Sequence, residues 1–483
     1  MKLLVRYRGL SASVRTSIWF TVCNFLQRGC ALLTTPIFTR LLTPAEYGIC
    51  NLYFALFDVF ILFTSLKLPY EGLNNGLIRH EDDPDGYTAS MFGLISVLTC
   101  ITGGLYFLLR RWIDGFTGLG GPLMAVLFVQ LLFQPAMMLW TNRARFDAQY
   151  RIPVIVTLAG TVAGPVIAVL AVMLTPYAAE ARIIALAAVQ VCIGAVCAGV
   201  LLVRGKRLYR RDYWRFALSF NLPLLPYYLS QSLLGQSDRL MINYYEGSGK
   251  AALYSVAYTA GTLMQLAVSA VNGSLCPWMY KKMKAGAYDD IAAVVRLLCV
   301  LLGAGCLCMT AAAPDLIALL ATEEYREAVW IVPPVSASVF FVFVYMMFAN
   351  VEMYFGENRG ISAVSLAAGT ANVVLNAVCI PRIGYMAAGW TTLFSYMLLA
   401  LLHGVLMRRA CRRHGVRAAL LPVGSMLAVS AGVVLLTLGM LALYRVPYLR
   451  YAVPALLLLA AALRGRQILR VLYPHRNGDT GNE

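Results

Sequence analysis

The sequence has little charge. Only 13% of its 483 residues are charged, against about 25% in soluble domains. The four histidines lie far apart, and none of the twelve cysteines has zinc-ligand spacing, so no metal site is expected. Nearly uncharged runs of about 20 residues recur, which is the length that a helix needs to cross a bilayer. These runs predict a polytopic all-α membrane protein and are too continuous for the alternating strands of an outer-membrane barrel.

The charge that is present is mostly positive, with a formal net charge of +17. In a soluble chain this excess would indicate nucleic acid. Here the lysines and arginines are concentrated in alternate loops, as the positive-inside rule expects, so no nucleic acid partner is predicted. The basic start, with Arg15 as its last cation, leads into the first span without a small-residue cleavage site. We expect it to insert and to stay.

About fourteen membrane spans are predicted from the apolar runs. Their loop charges place the N-terminus and the C-terminus in the cytoplasm. No loop is long enough for a soluble domain. The spans are 17–39, 49–66, 88–109, 122–141, 153–175, 183–203, 222–243, 251–275, 291–312, 330–352, 361–380, 385–406, 418–443 and the short 451–463.

A weak internal repeat divides the chain. In each half a first span is followed by an outward turn and by a second span that contains tyrosine. Tyr47 ends the turn and Tyr53 lies in the span in one half, and Tyr254 and Tyr258 lie in the span in the other. Six spans per half keep the topology, so the halves are predicted to be parallel repeats. The predicted domains are 1–210, 211–410 and an appendage at 411–483, which holds the last two spans and a cytoplasmic tail.

Five motifs carry a family resemblance over about residues 15–410. They are TRLLTPAEYG (39–48), LPLLP (222–226), DRLMI (238–242), ALYSVAY (252–258) and PRIGYMAAG (381–389). In order and spacing they resemble the Wzx-type polysaccharide flippases of the multidrug/oligosaccharidyl-lipid/polysaccharide (MOP) exporter superfamily.

That resemblance implies a fold and a function. The fold is two six-helix lobes in a V around a central cavity that opens alternately to each side. The cargo is an anionic glycan on undecaprenyl diphosphate, moved across the bacterial cytoplasmic membrane without enzyme chemistry. The implied partners are membrane lipids and, for surface polysaccharide synthesis, a polymerase and chain-length machinery.

Charged residues inside the spans are few and therefore informative, because each costs about 2.5–3.5 kcal/mol at mid-membrane. Arg28 lies in the middle of the first span, with Asn24 one helical turn before it. Its forked guanidinium suits a diphosphate in the cavity. The alternative is a structural ion pair with Asp58 of the second span. Two roles of Asp58 have equal weight. It takes up a proton or cation during transport, or it makes a hydrogen bond between two helices.

Arg296 of the ninth span is the second candidate cavity cation. Its alternative is a side chain that extends to the membrane interface. Asp238 and Arg239 are adjacent near the outward end of the seventh span, so they do not face each other. A structural or gating role, together with the repeat-related Arg40, is favoured for them.

Uncharged and peripheral polar groups add weaker candidates. Lys67 is a candidate for the cytoplasmic mouth of the cavity, and its alternative is a solvated loop. Gln231 is a candidate for hydrogen bonds to sugars, although a helix-joining role is favoured for any single amide. Asn372 and Asn376 share one helix face. Glu352 and Glu357, by contrast, are expected at a solvated interface.

Flipping of a lipid-linked oligosaccharide is the leading hypothesis. No cofactor is expected, and the energy source is the membrane potential or a counter-transported H⁺ or Na⁺. The alternative is a cation-coupled multidrug antiporter of the same superfamily, although the intramembrane balance of Arg28 and Arg296 against Asp58 favours an anionic cargo. A membrane glycan polymerase is less favoured, since it needs an extended outward loop. A purely structural scaffold does not explain the buried charges.

Overall fold

The computed structural model describes residues 12–416, 420–444, 446 and 448–463, and the regular elements within these ranges are all helical. The predicted all-α class is confirmed. The helices are α1 (Ala12–Leu41), α2 (Pro44–Ser65), α3 (Leu73–Arg79), α4 (Pro84–Thr117), α5 (Gly121–Phe146), α6 (Arg151–Leu174), α7 (Ala178–Gly205), α8 (Arg211–Asn221), α9 (Leu225–Glu246), α10 (Ser248–Gly261), α11 (Gln265–Lys284), α12 (Tyr288–Ala311), α13 (Ala313–Leu320), α14 (Val332–Tyr354), α15 (Asn358–Ile383), α16 (Ala387–Arg413), α17 (Val423–Leu443) and α18 (Ala452–Leu463).

Ten helical segments of the described chain are long and apolar enough to cross a membrane. The pair α10 and α11, bent by 45° at a short break, adds an eleventh if it forms one span. Each predicted span overlaps a helical segment of the described chain, but 251–275 is divided between α10 and α11. α1, α9 and α18 do not meet the criterion for a membrane-crossing helix. A multi-span membrane protein is therefore confirmed, and the count of fourteen stays a prediction.

Local sequence sets where the helices begin. Thr43 and Glu46 form a reciprocal cap at the start of α2, with Thr43 N–H donating to Glu46 Oε2 at 2.9 Å. Pro44 occupies the first turn, where its missing N–H costs nothing. Asp83 caps α4 by accepting from Gly86 N–H at 3.0 Å. These caps satisfy backbone donors that have no partner within the helix.

The end of α2 is irregular. Leu66 and Lys67 have positive φ angles of 47° and 56°, and a π-helical turn at Leu68–Gly72 contains Pro69. The Asn142 side-chain amide of α5 donates to the Pro69 carbonyl at 2.8 Å. Within a membrane protein such backbone must find partners inside the protein, and Asn142 provides one.

The described chain divides into two compact units, Met1–Ala252 and Leu253–Glu483. In the first unit α9 packs against α2, while α7 packs against α5, α6 and α4. The first unit thus includes α9, the predicted seventh span. The domain boundaries at 210 and 410 are not tested by this division and stay a prediction.

The second unit is organised around α14. This helix packs against α16, α12, α17 and α11, and 89% of the apolar window within Glu323–Tyr354 is buried. Phe340 and Phe343 are fully buried in its core. Because α14 is apolar on all sides, it fits the interior of a helical unit.

One predicted loop contains a helix. The basic segment 204–221 lies between the predicted spans 183–203 and 222–243, but α8 occupies its second half. Tyr213, Ala217 and Asn221 are buried at four-residue intervals along α8, and Trp214 Nε1 donates to the Ser90 carbonyl at 3.0 Å. The helix therefore lies against α4 with one face, which is typical of an amphipathic segment.

Candidate functional site

Three polar side chains of the first unit form a hydrogen-bonded chain between α2 and α9. The Gln236 amide nitrogen donates to Asp58 Oδ2 at 2.7 Å, and its carbonyl oxygen accepts from Arg239 Nη1 at 2.7 Å. One amide thus links a carboxylate to a guanidinium. The sequence had assigned Asp58 and Arg239 to different roles, and the structure brings them together.

Arg28 lies on α1 with an exposed side chain. It makes no ion pair or side-chain hydrogen bond within the described residues, and the expected alternative of an ion pair with Asp58 is absent from them. Asn24 is also exposed, one turn before Arg28. Arg28 is therefore a mid-helix cation with no acidic partner in the described part of the chain.

Arg296 repeats this situation in the second unit. Its side chain is exposed on α12, and no ion pair or side-chain hydrogen bond of Arg296 occurs among the described residues. The first turn of α12 carries Asp289 and Asp290, and Asp290 pairs with Lys282 at 2.6 Å. Arg28 in the first unit and Arg296 in the second are thus both exposed arginines inside a long helix, without an ion pair among the described residues.

Lys67 and Gln231 lie in the first unit. The Lys67 ammonium is 5.3 Å from the centre of the Tyr70 ring, a cation–π distance. The side-chain amide nitrogen of Gln231, on α9, is buried and has no hydrogen-bond partner in the described structure. A buried donor of this kind is costly unless a ligand or water satisfies it.

Asp238, Arg239 and Arg40, the residues predicted to have a structural or gating role, differ in their burial and contacts. Asp238 is 1% exposed on α9, whereas its neighbour Arg239 is half-buried. Arg40 donates to the Pro36 carbonyl of its own helix at 2.8 Å. The different burial of Asp238 and Arg239 fits adjacent residues that point in different directions along a helix.

The second unit contains an acid–base pair that the sequence analysis missed. Glu352 Oε2 of α14 and His403 Nδ1 of α16 are 2.7 Å apart, with side chains 0% and 1% exposed. The expectation of a solvated interface for Glu352 was wrong, because its helix is buried in the unit core. Tyr345 stacks on His403, with ring centroids 5.6 Å apart. The signal in the sequence was a glutamate and a histidine inside two apolar spans.

Glu352 and His403 each keep a second polar atom. Glu352 Oε1 and His403 Nε2 are buried and have no hydrogen-bond partner in the described structure. On the same helix as Glu352, Asn350 Nδ2 donates to Asn272 Oδ1 at 2.8 Å and joins α14 to α11. The pair is therefore an enclosed polar site with unused donor and acceptor capacity.

Asn372 and Asn376 share a face of α15, as predicted. Both are fully buried, and the Asn376 amide donates to Asn372 Oδ1 at 3.3 Å. Thr391 of α16 donates its hydroxyl to Asn376 Oδ1. These contacts join α15 to α16, which is the helix-joining role that amides have in membranes.

Arg182 is a second residue that the sequence analysis missed. It lies near the start of α7, is 8% exposed, and stacks on Phe38 and Tyr47 with ring distances of 4.2 and 4.7 Å. Its aromatic neighbours come from α1 and α2. The cation thereby holds three helix ends together.

The loop side of the first unit carries a histidine with a shifted pKa. His80 packs on Tyr213 with ring centroids 4.6 Å apart. Burial lowers the pKa of His80, and the nearby cations Arg79 and Arg210 lower it further. Tyr213 donates its hydroxyl to Asp83 Oδ2 at 3.1 Å and fixes α8 to the start of α4.

Comparisons with solved structures place the fold. The lipid II flippase MurJ, in an inward closed conformation, matches with a TM-score of 0.66 and 10% sequence identity over 93% of this chain and 100% of that chain. An inward-facing multidrug resistance MATE family transporter of the MOP superfamily matches with a TM-score of 0.55 and 14% identity, over 85% and 100% of the two chains. At these identities the likeness shows the fold alone.

A third structure comes from Pyrococcus furiosus. It is a MOP superfamily transporter described as having a binding pocket of reverse polarity, and it matches with a TM-score of 0.53 and 14% identity over 82% of this chain and 95% of that chain. No curated protein sequence matches the chain.

Sequence comparison gives the family. The model of the family described as polysaccharide biosynthesis protein matches residues 13–283, more than half of the chain. The matched range contains the first four of the five motifs that carried the predicted resemblance, and the MurJ and MATE folds agree with that resemblance. The chain therefore belongs to the polysaccharide biosynthesis protein family and has the fold of the MOP superfamily transporters.

Proposed function

We propose that the protein is a flippase that moves an undecaprenyl diphosphate-linked oligosaccharide from the inner to the outer leaflet of a bacterial cytoplasmic membrane. The observation that carries the proposal is Arg28, an exposed cation in the middle of a helix without an acidic partner among the described residues. A guanidinium binds phosphate oxygens through two parallel hydrogen bonds. A diphosphate supplies the anion that Arg28 lacks.

The charges favour this cargo over a cationic drug. A drug antiporter needs a carboxylate that is available to its cargo. Asp58 already accepts a hydrogen bond from Gln236, which is itself bonded to Arg239. Glu352 is enclosed with His403. Among the predicted cavity residues, Arg28 and Arg296 are exposed and have no ion pair within the described ranges.

The proposed mechanism is alternating access by two lobes, 1–210 and 211–410, with 411–483 as an appendage. Lys67 receives the headgroup at the cytoplasmic mouth, and Arg28 and Arg296 hold its diphosphate. Asn24 and Gln231 offer amides to the sugar hydroxyls. Arg40, Asp238 and Arg239 hold or gate the lobes, with the hydrogen-bonded chain from Asp58 to Arg239 as the contact that fixes α9 to α2.

Two energy sources fit this cargo. An inside-negative potential favours outward movement of an anion by about 2.3 kcal/mol per charge per 100 mV. A counter-transported H⁺ or Na⁺ is the second source. Acid and histidine side chains inside spans are typical of proton relays, so Glu352 and His403 are the groups that we propose for H⁺.

The setting follows from the same proposal. The N-terminus and C-terminus lie in the cytoplasm, and the protein works with membrane lipids, a polysaccharide polymerase and chain-length machinery. The first experiment is lipid extraction from a deletion strain. Accumulation of a complete oligosaccharide on undecaprenyl diphosphate, with loss of surface glycan, supports the flippase. Absence of the lipid, with sensitivity to cationic dyes, supports the antiporter instead.

Replacement of Arg28 tests the cavity role. We expect Arg28→Ala to lower surface glycan export about 10- to 100-fold, because a hydrogen bond to a charged group contributes about 1.5–3 kcal/mol. Arg28→Lys keeps the charge but loses the forked pair of donors. Glycan export by this variant should therefore lie between that of the unchanged protein and that of Arg28→Ala. Export is measured as surface glycan in the complemented deletion strain at matched protein levels.

Arg111→Ala is the control for this experiment. Arg111 is an exposed arginine near the end of α4 without an ion pair among the described residues. Its replacement should leave export unchanged. Normal export by Arg28→Ala would remove Arg28 from the mechanism.

A further inference from the structure

A cavity of about 690 Å³ lies at one end of the second unit. It is enclosed by α13, the 3₁₀ turn Glu323–Ile331 and the segment that follows α17. This size is within the range of about 300–1,000 Å³ that small-molecule sites occupy. We call it the aromatic pocket, because Trp330, Tyr444, Tyr448 and Tyr451 line it.

The aromatic side chains that line the pocket are partly exposed. Trp330 and Tyr444 have ring centroids 5.6 Å apart, and Trp330 is 40% exposed. Tyr448 is 82% exposed although it carries a large ring. Its φ of 69° lies in the left-handed region, which a tyrosine rarely adopts. Backbone held in this way is concentrated at ligand sites.

A fixed polar network lies beside the rings. Arg450 Nη2 donates to Asp315 Oδ1 at 2.9 Å, and the Tyr451 hydroxyl donates to Asp315 Oδ2 at 2.7 Å. The Arg450 guanidinium also lies 4.8 Å from the Tyr451 ring centre. Arg450 Nε is buried without a hydrogen-bond partner in the described structure. The network therefore holds oriented donors and acceptors at the pocket.

Glu323 and Arg326 add a second pair of charges. Their side chains are 88% and 83% exposed, and the two groups are 3.7 Å apart. With Asp315 and Arg450, the described residues that line the pocket include two acids and two bases, so the formal charges of these four cancel. A phosphate would meet both carboxylates, and a cation would meet both guanidiniums. A neutral ligand with many hydroxyl groups is repelled by neither the carboxylates nor the guanidiniums.

The direction of the helices shows which end of the unit carries the pocket. α12 begins just after the lysine-rich end of α11 and ends at α13, beside the pocket. α14 begins at the pocket and ends near Glu357, which pairs with Arg413 of α16 at 2.9 Å. The pocket is therefore at the end of the unit opposite to the basic segments. The positive-inside rule places the basic segments in the cytoplasm, so the pocket end lies outside the cell.

We infer that the aromatic pocket is a glycan-binding site on the outer face of the second unit, for one or a few pyranose rings. Aromatic faces cover the apolar face of a sugar ring, and oriented carboxylate, guanidinium and phenol groups bond its hydroxyls. The inference rests on the proposed function for the side of the membrane and for the source of the glycan. The pocket would hold the translocated sugar chain after it leaves the cavity.

The test uses the full chain, purified in nanodiscs. The probe is the oligosaccharide repeat unit released by mild acid from the surface polysaccharide of the host strain, without lipid or phosphate. Binding is measured by saturation-transfer NMR with titration. We expect Tyr448→Ala and Trp330→Ala to weaken binding at least tenfold, and sodium pyrophosphate not to compete.

The matched control is Tyr177→Ala, at a tyrosine that is 71% exposed between α6 and α7. The affinity of this variant for the oligosaccharide should stay within twofold of that of the unchanged protein. Equal affinity of all variants would show that the aromatic residues only anchor the membrane interface, and it would overturn the inference, as would absence of binding to the unchanged protein.

The failure of this inference is separable from the failure of the proposed function. Lipid accumulation in the deletion strain without oligosaccharide binding refutes the pocket and retains the flippase. Oligosaccharide binding that depends on Tyr448, without lipid accumulation, supports the pocket and refutes the flippase.

Discussion

At the residue scale, the partner of each buried or mid-helix charge indicates its role. Glu352 and His403 are enclosed and bonded to each other. Arg28 and Arg296 are exposed and have no carboxylate partner within the described ranges. A charge without a partner in a membrane span is costly, so it is retained where a ligand or water compensates it. The first pair therefore fits a site internal to the unit, and the two arginines fit cargo binding.

Removal of one member of the enclosed pair should be strongly destabilising. We expect Glu352→Leu to lower the free energy of unfolding by about 3–5 kcal/mol, because it leaves His403 buried without a partner. The double variant Glu352→Leu/His403→Leu should recover much of this loss. Thermal unfolding of the purified protein in detergent measures both effects.

Glu357 provides the comparison for this experiment. Its partner Arg413 has a side chain that is 67% exposed. Glu357→Ala should therefore cost about 0–1 kcal/mol, as for surface ion pairs. If Glu352→Leu is as mild as Glu357→Ala, the buried pair does not stabilise the unit.

Sequence reasoning found some of these residues and missed others for a physical reason. Arg28 and Asp58 were recognised because a charge inside an apolar run is visible without a structure. The bond between Glu352 and His403 joins residues on different helices, and the bridge from Asp58 to Arg239 passes through an uncharged glutamine. Such partners are set by tertiary packing, which residue order alone does not give.

At the element scale, glycines control how closely the helices approach. A Cβ on Gly194 of α7 would lie 2.3 Å from the Phe133 carbonyl oxygen of α5. A Cβ on Gly199 of the same helix would meet nothing within 4 Å. Small residues at helix interfaces allow close backbone contact in membranes. Only Gly194 is therefore needed for the contact between α5 and α7.

Two alanine substitutions in α7 test this distinction. Gly194→Ala should lower the free energy of unfolding by about 1–3 kcal/mol, because backbone must move. Gly199→Ala should be neutral or raise it by about 0.4–1 kcal/mol, since alanine has less conformational freedom to lose. Thermal unfolding of both proteins gives the comparison. Equal effects would show that α5 and α7 can separate without cost.

The long helices were predictable because length and apolarity define a span, and every predicted span except 251–275 coincides with one α-helix. The short elements were not. α3, α8 and α13 are not apolar runs of membrane length, and the bend between Gly261 and Gln265 interrupts an apolar stretch that reads as one span. Its position depends on packing in the second unit, where Gly261 lies against Val335.

At the scale of the whole molecule, the net charge of +17 indicates how the chain is oriented in the membrane. The basic segments alternate with poorly charged ones along the chain. A chain that places its basic segments in the cytoplasm has a defined inside and outside. Both the proposed direction of transport and the outer position of the aromatic pocket depend on that orientation.

Cysteine labelling tests the orientation directly. We expect Tyr448→Cys to react with a membrane-impermeant maleimide in intact spheroplasts, and Lys284→Cys to react only after permeabilisation. Both positions have exposed side chains at opposite ends of the second unit, so accessibility is limited by the membrane alone. The protein without either substitution gives the background from its native cysteines, of which Cys100 and Cys192 are exposed. The reverse pattern would place the aromatic pocket in the cytoplasm and would exclude it as a receiving site for exported glycan, because the charge asymmetry would then have the opposite orientation.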